Sequence, residues 1–242
     1  MKYNIMVVLN SSYFNFGKVF MNSLYDNTNI DNINTIFIID TGLSESDKEY
    51  FKTFNKVHIH DTGMKTSFDD GGTFGNGWQQ SVGSKTIIMK NLLNQTDIPL
   101  VMIDGDCIFV KDFSHLIDDS YDIQACNRPG HPVPYIASFV IAHNTKNCLI
   151  FLDRWIELIK EKPITSPRES PSLGQAVLEL KDKIKVGDVC EFKVNTCNEL
   201  VDDTLIIHLK GSSISRDIKE REQKSLIGAP APFLEFIKKY SI

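Results

Sequence analysis

The segment Val101-Met102-Ile103-Asp104-Gly105-Asp106-Cys107-Ile108-Phe109-Val110 sets two carboxylates two positions apart, directly after an apolar run. Along an extended chain, residues i and i+2 project to the same side. Gly105 between them offers no side chain to obstruct a ligand. The carboxyl end of a buried strand is where open α/β sheets place their ligands. No basic residue flanks either acid, so a cation between them is the natural relief of their repulsion, and a hard divalent ion bridging to phosphates supplies it. An acidic surface turn after a strand is the plain alternative. Roughly a hundred residues further on, the apolar run Thr204-Leu205-Ile206-Ile207 ends in His208-Leu209-Lys210-Gly211-Ser212-Ser213. There an imidazole adds a ligand, Lys210 offsets phosphate charge, and the amides of Gly211, Ser212 and Ser213 can donate to phosphate oxygens. Alone, His208 reads as a surface histidine before a Lys-Gly turn; with Asp104 and Asp106 it favours a metal–diphosphate site. Mixed oxygen and imidazole ligation suits Mn²⁺ at least as well as Mg²⁺.

The elements that must position these residues are legible as alternating patterns. Short apolar runs at 5–9, 35–40, 57–60 and 99–103 read as strands, and helical spacing at 17–25, 44–54 and 78–93 separates them. Such alternation predicts an α/β fold with a mostly parallel central sheet flanked by helices. The second half is less regular: strands at 122–126 and 137–142, helices at 148–160 and 172–180, a late strand at 204–208, and a short helix at 233–240. No linker divides the chain, so one domain is expected over 1–242. It divides into 1–110, 111–216 and a C-terminal extension (217–242) that packs or meets a partner.

Composition narrows the class. The 242 residues are 42% hydrophobic and 24% charged with a net charge of −5, which excludes disorder and gives no sign of nucleic acid as a partner. Five scattered cysteines without a C-x-x-C pair argue against a disulfide framework or structural zinc, and fit reduced thiols in a cytoplasmic protein. No apolar run approaches the ~20 residues of a membrane span.

The pattern of an apolar strand, Asp104-Gly105-Asp106, Cys107-Ile108-Phe109, and then a distant apolar strand leading into His208-Leu209-Lys210-Gly211 resembles the GT-A fold nucleotide-sugar glycosyltransferases. The galactosyltransferase-like, glycogenin-like and nucleotide-diphospho-sugar transferase families are the nearest in kind. The resemblance implies a single Rossmann-like GT-A domain, with 1–110 as its nucleotide-binding half and 111–216 as its acceptor half and metal-closing loop. It implies metal ligation by Asp104, Asp106 and His208, with Asp106 and Lys210 as the catalytic pair acting on the departing diphosphate. Donor contacts would come from Leu9, Asn10 and Ser11 after the first strand, and from Asp40 after the second, whose alternative is capping the next turn. Lys85, Asp104, Gly105, Ser138, Gly211 and Ser212 complete the donor set, a solvated helix face being the alternative for Lys85. The acceptor side would hold His131, Tyr135 and Gln175.

Two departures stand out. Gly174 precedes Gln175 where the resemblance expects an acid, leaving Glu169 as the nearest carboxylate, and no Lys-Pro-Trp follows Gly211. The reaction implied is metal-dependent transfer of a sugar, from a uridine rather than a guanosine diphosphate donor, to a hydroxyl on a glycan, lipid-linked or other acceptor. No carboxylate base, as an inverting enzyme needs, is marked beside that hydroxyl, and the resemblance leans weakly towards retention. Gly211, Ser212, Ser213 and Ser215 with Lys210 and Arg216 would form a loop that closes over the donor; a plain surface turn is the alternative. A nucleotide- or carbohydrate-binding module without catalysis and a sugar-1-phosphate nucleotidyltransferase are the competing readings. The latter wants a glycine-rich basic loop, where Asn10-Ser11-Ser12-Tyr13-Phe14 stands here.

Overall fold

The structure is a computed structural model and describes residues 1–66, 76–162, 168–194, 200–209 and 231–241. The apolar runs become strands β1 (Tyr3–Leu9), β2 (Ile33–Asp40), β3 (Val57–Asp61) and β4 (Leu100–Ile103) of one sheet ordered β3-β2-β1-β4-β7-β6-β8. β1 pairs in parallel with β2 and β4, and β2 with β3. β7 (Tyr135–Ala142) runs antiparallel between β4 and β6 (Ile123–Asn127), and β8 (Val186–Cys190) lies parallel beside β6. Sequence patterning missed β8, because Gly187 and Asp188 are poor strand formers. Gly187 is needed there: a Cβ would lie 2.7 Å from the Gln124 side chain and 2.9 Å from the Tyr121 ring.

Alternation along the strands feeds two cores. Tyr3, Ile5, Val7, Ile36, Ile38, Val101, Ile103, Phe139 and Ile141 face helices α1 (Phe14–Asn27) and α2 (Glu45–Lys52). Met6, Ile39, Leu100, Met102, Ile123, Ala125 and Val140 face α3 (Asn76–Leu93), α4 (Lys146–Glu161) and α5 (Glu169–Leu180). A strand buried on both faces has no room for polar residues, which is why these read as continuous apolar runs. The start of α2 matches its sequence signal: Ser44 and Asp47 close a reciprocal capping box. Helix α5 starts earlier than the predicted 172–180, with Glu169 in the first turn where a carboxylate favours the helix dipole.

β5 (Cys107–Phe109) and β9 (Ile206–His208) form a separate antiparallel ribbon against α1. Between β8 and β9 lies the short helix α6 (Glu191–Val194). A third apolar cluster joins Val19, Ile108 and Ile207 to Phe233, Ile237 and Tyr240 of helix α7 (Ala231–Tyr240). Helix α7 packs on the ribbon and α1 through this cluster. Asn27 at the end of α1 donates to the Phe109 carbonyl at 3.1 Å and to the Tyr240 hydroxyl at 2.6 Å, locking ribbon and terminal helix together. No described helix is long and apolar enough to cross a membrane.

One backbone position at the carboxyl edge of the sheet admits only glycine. Gly42 has φ +130°, and a Cβ there would lie 3.0 Å from the Thr66 carbonyl oxygen and 3.2 Å from its nitrogen. Gly42→Ala is expected to cost about 1–3 kcal/mol, measured as a lower midpoint in urea unfolding; an unchanged midpoint would refute this reading of the turn.

Candidate active site

Because β1, β2 and β4 are parallel, Leu9, Asp40 and Ile103 end at one edge, and the loops that follow them meet there. Those loops are knit together by their own polar side chains. The Asn10 amide donates to the Thr66 carbonyl at 3.0 Å, and its oxygen accepts from Tyr13 N at 3.2 Å. Ser11 donates to Asp47 Oδ2 at 2.5 Å and accepts from Ser44 N at 2.8 Å. Asp40 is buried; its Oδ1 accepts from Gly42 N at 2.8 Å and Leu43 N at 2.7 Å, and its Oδ2 pairs with Lys48 at 3.0 Å. Burial opposes the charge of Asp40, but these donors outweigh it and hold its pKa below the ordinary value. Asp40 therefore caps the turn after β2, the alternative set beside a donor contact. Leu9, expected to touch the donor, is a core residue instead. It is 1% exposed, and its carbonyl accepts from Thr41 N at 3.0 Å.

The carboxylates Asp104 and Asp106 do not share one side of an extended strand, as the sequence suggests. The chain turns at Gly105 and Asp106 before entering β5. Nor does Gly105 clear space for a ligand: a Cβ there would lie 2.7 Å from Leu9 Cδ2 and 3.3 Å from the Val8 carbonyl oxygen, so glycine is required by the close approach of β1. Asp104, its amide donating to the Ser138 carbonyl at 3.0 Å, pairs with Lys85 of α3 at 2.5 Å. Ser138 thus lies buried behind the acids and positions the first of them through its backbone. Asp106 is turned towards β9, its carbonyl accepting from Leu209 N at 3.0 Å.

The ribbon brings His208 to the acids, with Cys107 directly opposite it in register. His208 Nε2 lies 3.2 Å from Asp106 Oδ1 and 3.7 Å from Asp104 Oδ2. Burial raises the cost of ionising Asp106, yet His208 beside it more than compensates and its pKa is lowered. Among the described residues, the candidate ligand atoms that close to within 4.8 Å of one another belong to Asp106, Cys107 and His208, while Asp104 stands at the rim against Lys85. A carboxylate oxygen and an imidazole nitrogen converging at this distance, with a second carboxylate oxygen beside the same nitrogen, fit a divalent ion that accepts mixed oxygen and nitrogen donors.

Lys85 is no solvated helix residue. Its side chain is 12% exposed and bridges Asp104 to Glu169 Oε2 at 3.5 Å. Burial works against its charge, but the two carboxylates prevail and raise its pKa well above the lysine value. Glu169, which the sequence marked only as the nearest acid, is held from behind: the indole of the fully buried Trp155 donates to its carbonyl at 3.0 Å, and Ala137 N donates to the neighbouring Ser170 hydroxyl at 3.1 Å. Its Oε1 is buried without a hydrogen-bond partner among the described residues, and burial pushes its pKa up to about 7. The absence of an acid at position 174 also has a reason. A Cβ on Gly174 would lie 3.3 Å from Pro134 Cγ, a tight contact that glycine avoids where α5 packs on Pro134.

The expected acceptor residues fall out unequally. Tyr135 opens β7 half-buried, with burial raising its pKa, and Asp188 of β8 stands close by, hydrogen-bonded to Asn127 at 3.2 Å. His131 lies exposed in the same loop, its Nδ1 accepting from Val133 N at 3.0 Å. Gln175, by contrast, is turned along α5, donating to Glu179 at 2.9 Å on the face that carries the Arg154 ion pairs. That bond runs one turn along its own helix. Asp188 escaped notice because the strand that carries it did.

Comparison with solved structures decides the architecture. The chain superposes over 99% of its length on WbbM, a bifunctional glycosyltransferase (TM-score 0.63, 12% identity), covering 51% of that chain. It covers 99% of itself and 63% of GlyE, a glycosyltransferase of Streptococcus pneumoniae TIGR4 (0.60, 13%). On galactosyltransferase LgtC, solved with donor and acceptor sugar analogs, it aligns 96% of itself with 99% of that chain (0.59, 11%). The chain has the GT-A fold. It spans about half of WbbM and under two thirds of GlyE. The sequence matches no family model, and no curated protein sequence matches it. In this GT-A chain the β4–β5 turn, the β9 end and the starts of α5 and β7 meet around Asp104 and His208. Lys210, Gly211, Ser212, Ser213 and Arg216, assigned from sequence to the diphosphate and its closing loop, lie outside the described residues.

Proposed function

We propose that this protein is a metal-dependent glycosyltransferase that moves a sugar from a nucleoside diphosphate, uridine preferred, to an acceptor hydroxyl. The observation that carries the reading is the approach of His208 to both acids, 3.2 Å from Asp106 and 3.7 Å from Asp104, at the carboxyl edge of a GT-A sheet. Asp106, His208 and, by exchange of its lysine partner, Asp104 would hold Mn²⁺ or Mg²⁺. That ion, when bound, neutralises charge developing on the departing diphosphate.

The remaining chemistry belongs to side chains of this chain. The Lys85 ammonium, buried between Asp104 and Glu169, is a fixed positive charge beside the site, set to meet phosphate oxygens without reorganising. The orphaned Oε1 of Glu169 calls for a donor, because a buried carboxyl oxygen without a partner is costly, and a hydroxyl of the bound sugar supplies one. Trp155 fixes the backbone at Glu169 through its carbonyl, and Ala137 N donates to the Ser170 hydroxyl beside it. Tyr135 and Asp188 at the mouth of β7 and β8 would face the acceptor, and retention of anomeric configuration remains our expectation. A cytoplasmic setting agrees with the buried thiols of Cys107 and Cys148.

Thermal unfolding with UDP, GDP and Mn²⁺ tests the reading. UDP with Mn²⁺ should raise the midpoint, on the order of 2–3 kcal/mol of linkage at a hundredfold excess over Kd. UDP with EDTA should not. A larger shift with GDP would reverse the base preference, and equal shifts with and without EDTA would sink the metal role. Hydrolysis or transfer of the sugar separates an enzyme from a binding module, and release of pyrophosphate would indicate a nucleotidyltransferase.

A further inference from the structure

Cys107 has no part in the reaction proposed above, yet it stands inside the site. The β5–β9 register sets it directly opposite His208, so both side chains leave the same face of the ribbon. Its Sγ, an Asp106 oxygen and a His208 nitrogen lie within 4.8 Å of one another, and all three residues are buried. Zinc bonds of about 2.0–2.3 Å would bring such donors to roughly 3.5 Å apart. Closing the triplet therefore takes side-chain shifts on the order of 1 Å. Asp104, its Oδ1 bound to Lys85 and its Oδ2 3.7 Å from His208, is not a member of this triplet. What is left is one carboxylate, one imidazole and one thiol, a donor set that selects a thiophilic ion over Mg²⁺ or Mn²⁺.

We propose that Asp106, Cys107 and His208 form a zinc-selective site nested in the donor-metal site, and that Zn²⁺ bound there excludes Mn²⁺ and arrests the protein. The proposal rests on the reading of Asp106 and His208 as metal ligands. As the sulfur–zinc bond forms, the thiol proton passes to solvent, and nothing is oxidised or reduced. A fourth position on zinc stays open to water. In a hard-metal state Cys107 remains an uncoordinated core thiol; in the zinc state it replaces Asp104 as the third ligand.

Cobalt reports the sulfur directly. EDTA-stripped full-length protein titrated with Co²⁺ should develop an intense near-ultraviolet sulfur-to-cobalt charge-transfer band, which Zn²⁺ abolishes stoichiometrically. Cys107→Val, close in volume and suited to a strand, should lack the band. Calorimetry should show it binding Zn²⁺ at least about tenfold more weakly, with Mn²⁺ affinity within about threefold of the parent. Cys107→Ala serves as a second variant, and circular dichroism confirms that each is folded. A band that survives both substitutions, or Zn²⁺ affinity unchanged by them, overturns the zinc site while leaving the manganese reading standing. Failure of the parent to bind Mn²⁺ while the band forms and vanishes with Cys107 strikes the manganese reading and supports the zinc site.

Discussion

Asp106→Asn should lower sugar transfer by about 10²–10³-fold, several kcal/mol of lost charge stabilisation, and make nucleotide binding insensitive to EDTA. The carboxylate is 8% exposed and faces His208 at 3.2 Å, and the Asp106 backbone carbonyl separately accepts from Leu209 N after β9. Asparagine keeps the shape and the backbone bond to Leu209 while removing the charge a divalent ion needs. It also withdraws the charge that His208 favours, so a modest loss of stability is expected while the fold is kept. Calorimetric titration of UDP with and without EDTA, beside a thermal melt, separates these effects. If the variant binds UDP in a still metal-dependent way at parental affinity, Asp106 is not a ligand.

Lys85→Met is expected to be the most damaging change for stability. The lysine is the cation that the sequence, with no basic neighbour beside Asp104 and Asp106, left unsupplied; it arrives from α3. Its side chain is 12% exposed between Asp104, 23% exposed, and Glu169, 12% exposed. Removing one member of a largely buried ionic set leaves uncompensated charge, at a cost of roughly 3 kcal/mol. Glu169→Gln in the Lys85→Met background should recover part of that loss, because it deletes one of the stranded acids. A denaturant series on both single variants and the double variant gives the coupling. Additive losses would mean the two residues do not interact. Donor binding should fall in Lys85→Met even with Mn²⁺ in excess, whereas a purely structural lysine would leave the affinity of the surviving folded protein unchanged.

The sequence displayed the site's chemistry better than its geometry. Asp104, Asp106 and His208 could be picked out because strand ends in an α/β protein are marked by an abrupt change from apolar to polar residues, and that change is local. The same locality misjudged what surrounds them. Gly105 reads as an opening for a ligand, but its missing Cβ makes room for Leu9 of β1. Leu9 and Gln175 read as contacts, yet one is core and the other is tied to Glu179 across a helix turn. Glu169 sits five residues before the glycine that occupies the expected acidic position, and nothing in its neighbours announces that α5 begins there.

By itself, then, the sequence determined the strand–helix alternation, the two-faced burial of the central strands, the α2 cap and the pair of acids after β4. All of these follow from side-chain patterning over a few residues, where burial and backbone propensity act directly. Only the tertiary structure decided which partner each acid meets. Lys85 and Asp104 are 19 residues apart, and Asn27 reaches Tyr240 across 213. The pairing of Cys107 with His208 depends on β5 leaving the main sheet to meet β9. Such contacts arise from how the sheet twists and how helices pack upon it, so the charge on one residue is balanced by groups that no window along the chain contains.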